Sequence, residues 1–390
     1  MTQTQARRPG PVVFVSTMLS DPWGGSEELW YEAAMNLVKS GVEVRASVGR
    51  WAPLHRKVQA LQEAGVEMMF RDSYPGRWKK LAHKLMGGKG HPMLAKLERW
   101  MRETPPALVV ISDGFAMPEP DYTDMFLANG WRYIAVAHSN RDNWWPYPHE
   151  IDRYRRAVEK ADTMYFVSQA NMKLARKQAM FTSENTEIIR NPYGVDRNAP
   201  PAWPAAPATE RLEMACVGRL DLRTKGQDVL IETLSGDEWR DRNWRLSIYG
   251  DGDGRPLIEK MIRDAGLEER VLLKGHTKIS DIWATQHLLV QPSRSEGLPI
   301  TIVEAMMSGR PVLTTDIAGN PELLEDGVSG FIAGAPTISQ LSLALERMWA
   351  ERGALEQMGS KARAAVLKEI PENPGALFAD KIREKIGPGR

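Results

Sequence analysis

Two carboxylates frame a turn that is built to meet an anion. Glu296 lies in Pro292-Ser293-Arg294-Ser295-Glu296-Gly297-Leu298-Pro299, and Glu304 lies in the Thr301-Ile302-Val303-Glu304-Ala305-Met306 run, with Gly309-Arg310-Pro311 beyond. The apolar Leu288-Leu289-Val290 stops at this turn and a helical pattern begins after it. The unbonded N–H groups of Gly297, Leu298, Ile300 and the residues after them would then face whatever sits above a strand end. About two helical turns separate the carboxylates. One therefore stands at the mouth, and the other is placed to reach a hydroxyl-bearing ligand.

Cations for the same task stand in Gly218-Arg219-Leu220-Asp221-Leu222-Arg223-Thr224-Lys225-Gly226, which follows the apolar Met214-Ala215-Cys216-Val217. Arg219 and Lys225 flank a turn at a strand's carboxyl end, where a phosphorylated ligand needs charge compensation, and Arg223 reads as solvated. Near the start, Asp21-Pro22-Trp23-Gly24-Gly25-Ser26 opens a helix. Gly24 and Gly25 let the backbone approach a ligand closely, and Ser26 is the expected cap. His138 closes the run Tyr133 to Ala137 and leads into a polar, aromatic loop holding Arg141, Trp144 and Trp145. These two indoles either form a platform for a sugar acceptor or pack into a domain interface. Gly250-Asp251-Gly252-Asp253-Gly254 has two carboxylates and lacks the other oxygen ligands of a calcium loop, so a tight turn is expected there and no metal site.

The elements that must hold these residues alternate. Short β-rich runs (12 to 16, 42 to 48, 107 to 111, 133 to 137, 164 to 167) are separated by helical patterns (26 to 39, 55 to 64, 151 to 160, 169 to 179), the last capped by Ser168. After the stiff Pro200-Pro201-Ala202-Trp203-Pro204 the alternation restarts with 212 to 217, 245 to 249 and 271 to 274. The fold class is therefore α/β: two Rossmann-like domains, residues 1–198 and 199–371, their parallel sheets facing a central cleft.

At 390 residues the chain exceeds one ordinary core. With 42% hydrophobic and 26% charged residues it reads as a globular chain, and a net charge of +1 gives no reason to expect nucleic acid. The single cysteine, Cys216, falls in an apolar run and excludes a disulfide framework. Residues 1–10 lack the apolar segment of a secretion signal and no run is long enough to span a bilayer, so the cytoplasm is the expected compartment. Residues 77–102 carry Arg77, Lys79, Lys80, Lys84, Lys89, Lys96, Arg99 and Arg102 interleaved with Trp78, Leu81, Leu85 and Trp100. That pattern fits a peripheral contact with the inner face of a membrane, a meeting with a charged acceptor, or a solvated helix face.

The block from Pro292 through Thr314-Thr315-Asp316-Ile317-Ala318-Gly319-Asn320-Pro321-Glu322 to Gly327-Val328-Ser329-Gly330-Phe331 resembles the Glu-x7-Glu region of the family 4 retaining glycosyltransferases, which have the GT-B fold. The resemblance implies a nucleoside-diphosphate sugar as donor substrate, UDP- or GDP-linked, with no cofactor and no metal required. A glycan, a lipid-linked molecule or a small molecule would offer the acceptor hydroxyl. It further implies that Arg219 and Lys225 hold the diphosphate, that Gly24 and Gly25 face it, and that His138 and Glu296 stand beside the donor sugar. Glu304 would bind the ribose, and the backbone at Gly275-His276-Thr277 would meet the base. Relatives send their last helix, here 372–390, back onto the first domain. A GT-B enzyme of other chemistry, an epimerase or phosphorylase, shares these expectations. A nucleotide-binding protein without catalysis is the third reading. A dinucleotide oxidoreductase is disfavoured, because no Gly-x-Gly-x-x-Gly follows the first strand.

Overall fold

The computed structural model describes residues 10–18, 21–72, 92–204 and 211–387. The chain divides into two compact units, Met1–Pro192 with Asn373–Arg390, and Tyr193–Glu372. The described residues of the first unit form a seven-stranded parallel sheet. Its strands are β1 (Val12–Ser16), β2 (Val44–Gly49), β3 (Glu67–Arg71), β4 (Leu108–Asp113), β5 (Tyr133–Ala137), β6 (Thr163–Phe166) and β7 (Thr186–Ile188), in the order β3-β2-β1-β4-β5-β6-β7. Every residue of β1, β2, β4 and β5 is buried, as expected of parallel strands covered on both faces. Side chains alternate between the two covers. Val13, Val15, Val109 and Ile111 join one cluster, and Val12, Phe14, Leu108 and Val110 join the other.

The helix Pro374–Ile386 belongs to this first unit and lies along the helix Gly25–Lys39. Phe378, Ala379 and Ile382 enter the cluster around Phe14. The two helices approach so closely that a Cβ on Gly375 would stand 2.2 Å from the Glu32 Cβ.

The second unit holds β8 (Leu212–Val217), β9 (Trp244–Tyr249), β10 (Val271–Gly275), β11 (Leu288–Gln291), β12 (Val312–Thr315) and β13 (Gly330–Ala333), all parallel, in the order β10-β9-β8-β11-β12-β13. Strand order reverses at the β8–β11 neighbour pair, the topological switch point at whose strand carboxyl ends α/β sheets bind ligands. The loops leaving these two strands are 218–226 and 292–299. The first unit has the same reversal between β1 and β4.

The division falls after Pro192, ahead of the boundary expected after residue 198. Bonds made by the intervening residues explain this. The Tyr193 hydroxyl donates to the Glu372 carbonyl (3.0 Å), the Gly194 amide to Glu304 Oε1 (2.8 Å), and the Arg197 guanidinium to the carbonyls of Ile370 and Leu367 (2.7 Å each). The expected cap at Ser26 is also displaced. Gly24 caps the helix Gly25–Lys39 through its backbone, the Glu27 amide donating to the Gly24 carbonyl at 3.0 Å. Ser168 does cap Gln169–Ala179, accepting from the Asn171 amide at 3.1 Å.

Candidate functional site

In the second unit, Asp221 shapes the loop that carries the cations. Its carboxylate accepts from the Arg223 amide (3.1 Å) and the Thr224 hydroxyl (2.8 Å), starting the short helix Leu222–Lys225. The helix ends at Gly226, which has φ +67, and a Cβ there would stand 2.1 Å from the Pro292 carbonyl oxygen. Only glycine lets the β8 loop rest on the β11 loop in this way. Behind it, the 250–254 turn supports the same loop. The Leu220 amide donates to the Asp251 carbonyl (3.0 Å), and the Gly254 amide to the Leu220 carbonyl (2.9 Å).

This packing sets Lys225 against Glu296. Nζ donates to Glu296 Oε1 at 2.7 Å, and the same oxygen accepts from the Ser293 hydroxyl (2.7 Å) and from Gln291 Nε2 (3.2 Å). Glu296 is only 7% exposed, so these donors stand in for the water it lacks. Glu304 is buried on the helix Ile300–Met307 and takes the Gly194 amide. Pro299 caps that helix without a side-chain bond, so the first-turn N–H groups of Ile300 and Thr301 lie beyond the intrahelical ladder. Gly297, Leu298 and Pro299 are buried in the turn ahead of it.

The 314–320 segment braces this turn. Thr314 and Thr315 hydroxyls donate to the carbonyls of Gln291 (3.0 Å) and Ser293 (2.6 Å), Asn320 Nδ2 donates to Thr314 Oγ1 (2.9 Å), and the Gly319 amide donates to the Gly297 carbonyl (3.0 Å). Sequence reading gave these residues no role, nor Gln291 and Ser293. Thr277 is exposed on the loop between β10 and the helix Ile279–Trp283. Burial pushes the Cys216 thiol up to about 12, so it is an inert core group. Among the described residues no three His, Cys, Asp or Glu side chains group as a metal site.

In the first unit His138 continues the ladder, its amide donating to the Asp113 carbonyl at 3.0 Å. Its Nε2 lies 3.2 Å from the Ser112 hydroxyl. Burial drives the imidazole down to about 4, with a smaller opposing effect from Asn191, so the ring is neutral near pH 7. Gly24 and Gly25 stand at the start of Gly25–Lys39, as read from the sequence. Glu27, one turn in, is buried. It accepts from the Ser16 hydroxyl (2.9 Å) and from the Trp30 indole, and burial raises it to about 7.

The expected acceptor platform is not a flat pair of rings. Trp144 packs edge-to-face against Phe115 (4.9 Å) and Tyr154 (5.5 Å), committed to the core margin, whereas Trp145 is 46% exposed with the Lys177 ammonium 5.6 Å from its ring. Arg141 is exposed on the same loop, its guanidinium 5.7 Å from the Phe115 ring. Of the basic stretch 77–102, residues 77–91 fall outside the described residues. The remainder lies on the helix Pro92–Glu103, where Leu97 and Met101 are buried and Trp100 is taken up by Glu67 (2.6 Å) and the Arg45 guanidinium (3.9 Å). Its apolar side is therefore spent on the protein's own core. Among the described residues no helix is long and apolar enough to cross a membrane.

Residues 203–365 match the family described as glycosyl transferases group 1. The alpha-D-kanosaminyltransferase of Streptomyces kanamyceticus is 34% identical over 177 residues, 45% of this chain and 42% of that protein. The match therefore spans less than half the length of that relative. A GDP-mannose-dependent alpha-(1-6)-phosphatidylinositol monomannoside mannosyltransferase of Mycobacterium tuberculosis is 26% identical over 276 residues, 66% of this chain and 71% of the relative. Among solved structures, Anabaena HepE in complex with UDP superposes with a TM-score of 0.71 at 19% identity, covering 95% of this chain and 99% of that one. At that identity the likeness shows the fold alone, which is GT-B.

Proposed function

We propose that the chain, whose residues 203–365 match the glycosyl transferases group 1, moves a sugar from a nucleoside-diphosphate sugar to an acceptor hydroxyl, retaining the anomeric configuration. One observation carries the reading. Lys225, the loop of Arg219, Glu296 and the N-terminus of Ile300–Met307 all lie on the two loops that leave β8 and β11 where strand order reverses. As the glycosidic bond breaks, the departing diphosphate gains negative charge. On this reading Lys225, Arg219 and the helix N–H groups meet that charge as it develops, so they favour the transition state over the ground state. On this reading the cationic side chains do the work of a metal ion, and no metal or cofactor is required.

Glu296 orients the donor sugar, and Glu304 accepts from the ribose hydroxyls. His138, held neutral by burial, accepts or donates a hydrogen bond to a sugar hydroxyl. A UDP or GDP donor fits the GDP-mannose dependence of one relative and the UDP of one structural neighbour. The acceptor is a glycan, a small molecule or a lipid-linked hydroxyl. A membrane contact through 77–102 draws no support from the helix Pro92–Glu103, whose apolar face is occupied.

Titration calorimetry of UDP and GDP tests the reading. Lys225→Ala removes one charge-assisted bond and should weaken the bound nucleotide about ten- to a hundredfold. Wild-type affinity in that variant would remove the diphosphate site, and product analysis by anomeric NMR with a sugar-nucleotide donor decides retention.

A further inference from the structure

We infer that Arg294 and Asp228 are positioning residues for the diphosphate site, their two-pronged ion pair fixing where the Lys225 ammonium stands. The inference rests on the diphosphate reading given above. Arg294 Nη1 and Nη2 donate to Asp228 Oδ1 (2.6 Å) and Oδ2 (2.7 Å), and Nη1 also donates to the Leu222 carbonyl (2.5 Å). The backbone follows the same path. The amides of Arg294 and Ser295 both donate to the Thr224 carbonyl, at 2.8 and 3.2 Å. One arginine thus grips the chain on either side of Lys225, at Leu222 in the β8 loop ahead of it and at Asp228 in the first turn of the helix Gln227–Leu234 behind it. Its own backbone holds the residue next to Lys225.

Position in the chain gives this grip its meaning. Arg294 lies two places before Glu296, the carboxylate that receives Lys225. The clamp and the Lys225–Glu296 contact therefore join the same two loops, and a shift of one loop along the other would separate Nζ from its proper place. Lysine has a flexible stem and a point charge, so its location is set by where its backbone is held. The planar fork of arginine supplies direction as well as attraction. The Arg294 and Asp228 side chains keep 32% and 27% of their exposure. A pair so wet adds little to overall stability, and its service is geometric.

The test is a thermodynamic cycle read by calorimetry on the full chain, with UDP and with GDP as the probes. Arg294→Gln should weaken nucleotide binding about tenfold, since displacement of a positioned group on the order of an ångström costs that much or more. Arg294→Lys, with charge but no fork, should recover only part of the loss, and Asp228→Asn should match Arg294→Gln. The deciding variant is Lys225→Ala with Arg294→Gln together. If Arg294 acts through Lys225, the double variant binds no more weakly than Lys225→Ala alone. Losses that multiply, or wild-type affinity in Arg294→Gln beside a weakened Lys225→Ala, overturn the inference while leaving the diphosphate reading intact. Wild-type affinity in Lys225→Ala, or no binding of either nucleotide to the native chain, overturns both.

Discussion

Replacing Glu27 with glutamine should abolish a specific piece of the protein's pH dependence. Glu27 is 4% exposed, between the Ser16 hydroxyl and the Trp30 indole. Burial raises its carboxyl from an ordinary 4.5 to about 7, and this outweighs the opposing pull of Trp30, Ser16 and the buried Arg71 guanidinium. Between those two pH values the folded chain holds a proton that the unfolded chain has released. The stabilising effect is therefore full below about pH 4.5, falls as pH rises through about 7, and is gone above. Such a displacement corresponds to about 3 kcal/mol. Glutamine can keep both bonds, its oxygen accepting from Trp30 and its amide donating to Ser16, while it cannot ionise.

Urea unfolding of wild type and Glu27→Gln at intervals from pH 4.5 to 8 measures the effect. We expect the wild type to lose about 3 kcal/mol relative to the variant across that range. Other titrating groups cancel in the comparison, including Asp113 and Glu119, each raised to about 6 by burial. The pull of Arg71 acts only on the ionised carboxylate and is already contained in the value of about 7, so it adds no separate slope. A difference that stays flat with pH, or rises in the opposite sense, would refute the reasoning.

Gly226→Ala should cost well over about 1 kcal/mol in urea unfolding, because it combines a left-handed backbone with a Cβ driven into the Pro292 carbonyl; it should also weaken nucleotide binding, since Lys225 moves with that turn. Trp144→Ala should destabilise by about 3 kcal/mol for the lost contacts with Phe115 and Tyr154. Trp145→Ala, at an exposed ring, should leave thermal stability nearly unchanged and serves as the control. His138 has its imidazole lowered to about 4 by burial, so the folded chain resists a proton that the unfolded chain accepts near 6.5; stability should fall as pH drops through that window, and ring NMR shifts should show no titration above about pH 5.

Much of this architecture is legible in the sequence, and the exceptions have physical causes. Val12–Ser16 and Tyr133–Ala137 read as strands because parallel sheets bury both faces and so demand unbroken apolar runs. Glu67–Arg71 gives no such run. It is the edge strand β3, with Glu67 exposed and the Arg71 guanidinium absorbed by the Ser16 carbonyl and the Tyr122 hydroxyl. Ser26 looked like a cap because serine favours that position, but adjacent glycines let Gly24 take it with backbone alone. Trp144 and Trp145 are neighbours whose opposite fates depend on Phe115 and Tyr154, and nothing local to the loop states this. The clamp between Asp228 and Arg294 joins residues far apart in the chain, so neither periodicity nor a short motif announces it.

The neutral groups around Glu296 bear on how a cation can be both stored and released. A buried carboxylate stripped of its partners is costly, often more so than the pair is worth. Glu296 Oε1, however, accepts from Ser293 and Gln291 as well as from Lys225. If Lys225 turns toward a diphosphate, two hydrogen bonds remain on the carboxylate and the penalty of an unpaired charge is reduced. Thr314, Thr315 and Asn320 hold the backbone at Gln291 and Ser293 independently of either charge. On the diphosphate reading, the loop therefore need not rearrange for the ammonium to change partner.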